Sequence, residues 1–141
     1  MKYAYAGGLI STAELFKGIF IGLLHRIGIA GTEKIIRKWA GKYSGISEQE
    51  TINTSNQWFS KVVTAHFRES ILKEIKFHRE NNGRIVILSA STPYICRPVK
   101  EYLGMDDYIC TELEVADGLF TGRLKGDYCH GKIKLERALE Y

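Results

Sequence analysis

The sequence has little proline, little cysteine and no long apolar segment. Its 141 residues include 2 prolines and 14 glycines, and 45% of them are apolar, a composition that excludes disordered chains, collagen and coiled-coil arrays. The longest apolar run, residues 18–24, is far shorter than the ~20 residues that a membrane-spanning helix needs. No secretory leader is recognisable in the first residues. We therefore expect a cytoplasmic globular protein without a transmembrane segment. Residues 15–24 are expected to form a buried helix, with a position on a membrane surface as the alternative.

The three cysteines are spaced too widely to form a CxxC pair. They are Cys96, Cys110 and Cys129, so a zinc ribbon and a thioredoxin-type motif are both excluded. Reduced, partly buried thiols in a reducing compartment are the simplest interpretation.

The charge is only mildly basic, with 20 Lys and Arg against 16 Asp and Glu and a net charge of +4. The basic residues are dispersed among acidic ones and form no stripe with interleaved aromatics, so nucleic acid is not an expected partner. A mildly basic face can still attract phosphorylated small molecules.

Residues 1–80 are predicted to be mainly helical. Ser11 with Glu14 and Ser47 with Glu50 form capping boxes, and Thr32 is a further predicted cap. The helix after Ser47 is expected to continue past residue 67, and the last one to stop at residues 82–83. Apolar residues at helical spacing are predicted to be core: Leu15, Ile19, Leu23, Ile27, Ile35, Ile36, Trp39, Ala40, Trp58, Phe59, Val62, Val63, Ile71, Leu72 and Ile75.

The pattern changes after residue 83. Residues 84–88 are continuously apolar and β-branched after Arg84, which predicts a strand buried on both faces of a parallel sheet. A helix is expected to begin at Pro93, with a possible kink at Pro98, and to end at Gly104. Residues 108–111 predict a second strand, residues 113–121 a hairpin, and Gly131 the start of a final helix. The fold class is therefore α/β, with one βαβ unit.

Ser89 follows the first predicted strand and is the first candidate site residue. Ligands in open α/β sheets bind beyond the carboxyl ends of the strands, and the following helix N-terminus offers N–H donors that suit a phosphate. Lys132 and Lys134 are the second candidates, since a lysine in the first turn opposes the helix dipole unless an anion is near. Helix capping by Ser91 and solvation of the lysines remain the structural alternatives.

Residues 85–91, an apolar strand ending in serine, resemble the second signature of the haloacid dehalogenase superfamily. Residues 93–105, 109–115 and 117–122 and the Cys129-His130-Gly131 segment are similar to its phosphoserine-phosphatase-like branch. The resemblance is specific over residues 84–141 and loose before them, where that branch carries a helical cap. It implies a cap region at residues 1–80 and, at residues 81–141, part of a Rossmann-like parallel sheet.

The resemblance also implies an activity. Members hydrolyse phosphomonoesters through an aspartyl-phosphate with Mg²⁺ as cofactor. By position, Ser89 with Ala90 and Ser91 would bind the phosphoryl group, and Lys134 would neutralise its charge, with Lys132 as the alternative. The substrate would be a phosphorylated small molecule or a lipid phosphate.

Two family signatures are absent from the sequence. There is no Asp-x-Asp-x-Thr, and Gly126-Asp127 lacks the second aspartate of the metal-binding signature, so no metal ligand is assigned. One hypothesis is a phosphatase truncated at both ends. The other is a non-catalytic remnant that binds or interacts, or half of a split enzyme. A strand left without its neighbour would favour self-association or a complementing chain.

Overall fold

A computed structural model describes residues 32–141, with side chains from residue 34 onward. The chain divides into two compact units, residues 1–38 and 39–141, and only residues 32–38 of the first are described. The predicted capping box at Ser11 and Glu14 and the apolar run at residues 18–24 lie outside the described residues. So do the first four predicted core positions, Leu15, Ile19, Leu23 and Ile27.

Three helices come first in the described part of the chain: α1 (Thr32–Gly41), α2 (Glu48–Val62) and α3 (Glu69–Glu80). Ser47 caps α2 as predicted, because its Oγ accepts a hydrogen bond from the Glu50 amide at 3.3 Å. The continuation of α2 past residue 67 was wrong. A 3₁₀ turn (Val63–His66) follows α2, and the His66 ring nitrogen lies 2.7 Å from the Val62 carbonyl oxygen, which a longer helix would have used.

The predicted core is only partly buried. Ala40 and Phe59 are buried, and Trp39 packs against the core, whereas Trp58, Ile71 and Leu72 are 40–48% exposed. Helix α3 has no buried residue at all. Periodicity identified the apolar face of this helix, but among the described residues this face stays largely exposed. Its C-terminal end agrees with the prediction, because Asn82 takes a left-handed conformation with φ 57°.

The predicted βαβ unit is present. Strand β1 (Val86–Leu88) pairs in parallel with β2 (Asp107–Ile109), and α4 (Pro93–Leu103) connects them. Helix α4 runs without interruption through Pro98 and ends at Gly104 in the left-handed region, as expected. All three residues of β1 are half-buried rather than fully buried, because β2 is its sole neighbour among the strands of residues 32–141.

A hairpin of β3 (Glu112–Ala116) and β4 (Leu119–Lys125) completes the described sheets, with Asp117 and Gly118 both at positive φ in its turn. Leu113 and Phe120 of the hairpin form the core cluster with Ala40. The last element is α5 (Gly131–Glu140), which begins where predicted. Within residues 32–141, no helix is both long enough and apolar enough to span a bilayer.

Candidate functional site

The loop at residues 89–92, here called the Ser89 loop, joins β1 to α4 at the carboxyl end of the parallel strands. The Ser89 amide donates to the Ile109 carbonyl at 2.9 Å, which fixes the loop to β2. The Ser89 hydroxyl oxygen accepts a hydrogen bond from the Ser91 amide at 3.1 Å. Thr92 then caps α4 in an extended conformation. The structure therefore places Ser89, Ala90 and Ser91 in one tight turn directly before a helix N-terminus, as predicted from the sequence.

Thr111 holds this loop from the neighbouring strand. It lies two residues after the end of β2 and is 1% exposed. Its hydroxyl donates to the Ala90 carbonyl at 3.0 Å, and its amide donates to the Ser91 carbonyl at 2.9 Å. The same hydroxyl oxygen accepts a hydrogen bond from the Cys129 amide at 3.1 Å. Thr111 thus connects the Ser89 loop to the segment that leads into α5.

Arg137 makes a second connection between β2 and α5. Its Nη1 donates to the Cys110 carbonyl at 2.7 Å, and its Nη2 donates to the Asp127 carbonyl at 3.0 Å. We call Thr111, Cys129 and Arg137 together the β2–α5 seam. Because of these contacts, the face of α5 that carries Arg137 lies towards the end of β2.

The two candidate lysines lie on different faces of α5. Lys132 is 86% exposed and forms an ion pair with Glu136 at 3.1 Å. Lys134 is half-buried, and among residues 34–141 no carboxylate lies within ion-pair distance of its amino group. Positions three apart share a helix face, so Lys134 lies on the Arg137 side. The structure therefore brings Lys134, and not Lys132, to the side of α5 that faces the end of β2.

All three cysteines are buried free thiols, close to the Ser89 loop. The Cys96 thiol is hydrogen-bonded to Cys110 and also to the Ser89 hydroxyl. The bond to Cys110 is the main cause that lowers the pKa of Cys96, whereas the same bond, together with burial, raises the pKa of Cys110. Of the two thiols, Cys110 therefore has the higher pKa.

The carboxylates of the described residues do not fit the magnesium site that the family resemblance implied. No group of three or more His, Cys, Asp or Glu side chains in residues 34–141 is arranged to hold a metal. Asp106 accepts from the Ile85 amide at 2.6 Å and Asp107 begins β2, so both lie at the amino end of the strands, opposite the Ser89 loop. Residues 1–31 contain Glu14 and no aspartate.

An open cleft of about 480 Å³ lies elsewhere, between α4 and the hairpin. Its charged groups already have partners: the Tyr94 hydroxyl donates to Glu48 at 2.9 Å, and Lys125 pairs with Glu112 at 3.1 Å. Burial, more than the Glu48 contact, raises the pKa of Tyr94. Neither Ser89 nor Lys134 lines this cleft.

Thr111 and Arg137 were not singled out from the sequence. The sequence placed Thr111 at the end of the predicted second strand, residues 108–111, whereas in the structure β2 ends at Ile109 and Thr111 lies two residues beyond it. Arg137 lies three residues after Lys134, on the same helix face.

Comparison with known proteins identifies the family of this chain. The family model described as haloacid dehalogenase-like hydrolase matches residues 1–141. No curated protein sequence matches the chain significantly.

Solved structures share the fold. A protein of unknown function from Bordetella pertussis Tohama I has a TM-score of 0.81 at 18% identity, over 97% of this chain and 62% of that one. A probable phosphoserine phosphatase from Vibrio cholerae, in its unliganded form, has a TM-score of 0.61 at 20% identity, over 86% and 36%. A HAD family hydrolase from Salmonella enterica serovar Typhi has a TM-score of 0.65 at 11% identity, over 86% and 40%. The chain spans less than two thirds of the length of each of these proteins, and by its family match it belongs to the haloacid dehalogenase-like hydrolases.

Proposed function

We propose that this chain supplies the phosphate-binding part of a phosphomonoester hydrolase. The observation that carries the proposal is the junction of the Ser89 loop with α5, through Thr111 and Cys129, at the carboxyl ends of β1 and β2. Phosphoryl transfer depends mainly on positioned donors and positive charge, and this junction offers both.

Three groups would hold the phosphoryl oxygens. The Ser89 hydroxyl would donate its proton to one oxygen, while its own oxygen continues to accept from the Ser91 amide. The N-terminal end of α4 adds the positive end of a helix dipole. Lys134, half-buried and on the seam side of α5, would neutralise the charge. Lys132 is already paired with Glu136 and is not needed.

The nucleophile and the magnesium ligands of the family would come from sequence beyond these 141 residues. No Asp-x-Asp-x-Thr occurs among them, and the four aspartates present are Asp106, Asp107, Asp117 and Asp127. The missing carboxylates would belong to further residues of the same protein or to a complementing chain. The edge of β1 that no strand of residues 32–141 occupies would receive the strand that carries them, since a strand edge with unpaired backbone groups accepts another strand.

The substrate class is a phosphomonoester of a small molecule or a lipid. The similarity to a probable phosphoserine phosphatase supports the first of these. Three free, buried thiols support a reducing compartment such as the cytoplasm.

Titration with inorganic phosphate tests the binding role. We expect Ser89→Ala and Lys134→Ala each to weaken phosphate binding by about tenfold, since each removes a direct contact worth ~1.4 kcal/mol. Lys132→Ala is the matched control on the same helix and is expected to bind like the unaltered chain. Equal losses for both lysine variants, or a larger loss for Lys132→Ala, would contradict the assignment.

An activity assay tests where the carboxylates lie. We expect no turnover of 4-nitrophenyl phosphate by this chain alone with Mg²⁺, because it lacks the nucleophile. A longer protein that also carries the Asp-x-Asp-x-Thr strand should turn the substrate over, and lose activity when the first aspartate is replaced by asparagine. Turnover by the 141-residue chain that disappears in Ser89→Ala would refute the placement of the nucleophile outside it.

A further inference from the structure

Thr111 is the buried group on which both halves of the proposed phosphate site converge. The residue is 1% exposed. Its hydroxyl donates one hydrogen bond, to the Ala90 carbonyl of the Ser89 loop, and accepts another from the Cys129 amide before α5. We propose that Thr111 is a positioning residue that fixes the Ser89 loop and the Lys134 helix in one arrangement. The inference rests on the proposed phosphate-binding function for its purpose, but the coupling it describes can be measured without it.

The bonding pattern leaves the hydroxyl no freedom. A threonine hydroxyl has one proton to donate, and here the Ala90 carbonyl takes it at 3.0 Å. The oxygen lone pairs then face the Cys129 amide at 3.1 Å. Because one rotor serves both partners, the loop and the segment before α5 cannot shift independently without breaking one of the bonds. The Thr111 amide reinforces this with its own bond to the Ser91 carbonyl at 2.9 Å.

The bond to Ala90 has a consequence for Ser89. The Ala90 carbonyl and the Ser91 amide belong to the same planar peptide group. When Thr111 fixes the carbonyl, it also fixes the direction of the Ser91 N–H, which donates to the Ser89 hydroxyl oxygen at 3.1 Å. That bond occupies one lone pair of the Ser89 oxygen and leaves the Ser89 proton available to donate. The Cys96 thiol interacts with the same hydroxyl, and sulfur is a weak acceptor that a phosphoryl oxygen can replace.

The bond from Cys129 acts on the other half. His130 is the N-cap of α5 and Lys134 lies in its first turns, so the bond from the Cys129 amide holds the residue directly before that cap. Arg137 holds the same helix farther along, through the carbonyls of Cys110 and Asp127. Arg137 has no hydrogen bond to the Ser89 loop, so among the side-chain hydrogen bonds of residues 34–141 those of Thr111 connect the two parts of the site.

The test compares three variants of the full chain by amide NMR and by phosphate titration. Thr111→Val has nearly the same shape and removes both hydroxyl bonds, whereas Thr111→Ser keeps them. Thr121→Val is the matched control, because the Thr121 hydroxyl also makes two hydrogen bonds, to Glu114 and from the Arg123 amide, but in the hairpin.

We expect Thr111→Val to shift the amide signals of the Ser89 loop and of residues 129–134 together, and to weaken binding of inorganic phosphate by about tenfold. Thr111→Ser should restore both readouts to within about twofold of the unaltered chain, which a merely space-filling role would not do. Thr121→Val should leave phosphate binding unchanged. If Thr111→Val moves the signals of one segment and not the other, or binds phosphate normally, the inference is wrong.

Hydrogen exchange on the unaltered chain gives a test that needs no variant. The amides of Thr111 and Cys129 should be protected to a similar degree, within about threefold, because one opening event would release both. Protection that differs by a hundredfold would overturn the coupling. If the unaltered chain fails to bind phosphate while the coupled shifts remain, the proposed function fails and the positioning role of Thr111 stands.

Discussion

The β2–α5 seam and helix α3 differ in how deeply their side chains are buried. In the seam, Thr111 and Cys129 are 0–1% exposed, and every buried polar side-chain atom of the described residues has a partner. Helix α3 has no buried residue, and its Phe77 is 59% exposed. The comparison shows where the described residues specify a single arrangement: near the carboxyl ends of the parallel strands, at the proposed phosphate site, and not along α3.

The hairpin core is buried like the seam, and a substitution there is expected to lower the free energy of unfolding most. Phe120 is 2% exposed and packs its ring edge-on against Tyr43 and Tyr94 at 5.7 and 5.3 Å. Phe120→Ala should lower the free energy of unfolding by about 3–5 kcal/mol, because it removes a buried ring and leaves a cavity. Phe77→Ala is the same substitution on α3 and should change it by less than about 0.5 kcal/mol. Denaturant unfolding of both variants checks this, and similar losses would show that α3 is covered in solution.

Loss of the two Arg137 hydrogen bonds should lower the free energy of unfolding by an intermediate amount. Arg137→Gln removes two charge-assisted hydrogen bonds to the Cys110 and Asp127 carbonyls, and should destabilise the chain by about 1.5–3 kcal/mol. Arg123→Gln, which removes an exposed ion pair with Glu114, should cost about 0–1 kcal/mol. A loss for Arg137→Gln no larger than for Arg123→Gln, in the same thermal or denaturant melt, would show that the seam does not depend on this side chain.

The cap of α2 gives the smallest effect. Ser47→Ala removes the acceptor of the Glu50 amide and should cost about 1 kcal/mol. Ser60→Ala, in the last turn of the same helix, removes only a bond to the Gln57 carbonyl of its own helix and should be close to neutral. If the Ser60 variant melts at the lower temperature of the two, the cap does not define the start of α2.

The strand, loop and helix around Ser89 could be predicted because local sequence determines where each of them begins and ends. The β-branched run between Gly83 and Ser89 predicts a short strand. The small residues before Pro93 predict a turn that leads into a helix. The positions of Ser89, Ala90 and Ser91 followed from these two facts. Thr111 was not found, because a buried threonine that bridges two segments reads in the sequence like any threonine between two strands.

The exposed helix faces were mispredicted for a physical reason. Apolar spacing shows which side of a helix avoids water, but not whether another element reaches it, and Ile71 and Leu72 remain 48% and 40% exposed among the described residues. The end of α2 depended on the contact of His66 with the Val62 carbonyl, which spacing does not reveal. The proposed preference for Lys134 over Lys132 depends on Arg137, whose bond to the Cys110 carbonyl shows which face of α5 lies towards the strands. The sequence alone does not reveal this bond.

The most direct measurement of the central claim is a map of amide signals on addition of inorganic phosphate to the 141-residue chain. The account predicts that the changes concentrate at residues 89–94 and 130–134, which lie on the two sides of the Thr111 junction. It predicts none in the hairpin turn or in helix α3. Changes centred on Arg97 and Lys125 in the cleft beside the hairpin, or no saturable change anywhere, would contradict it.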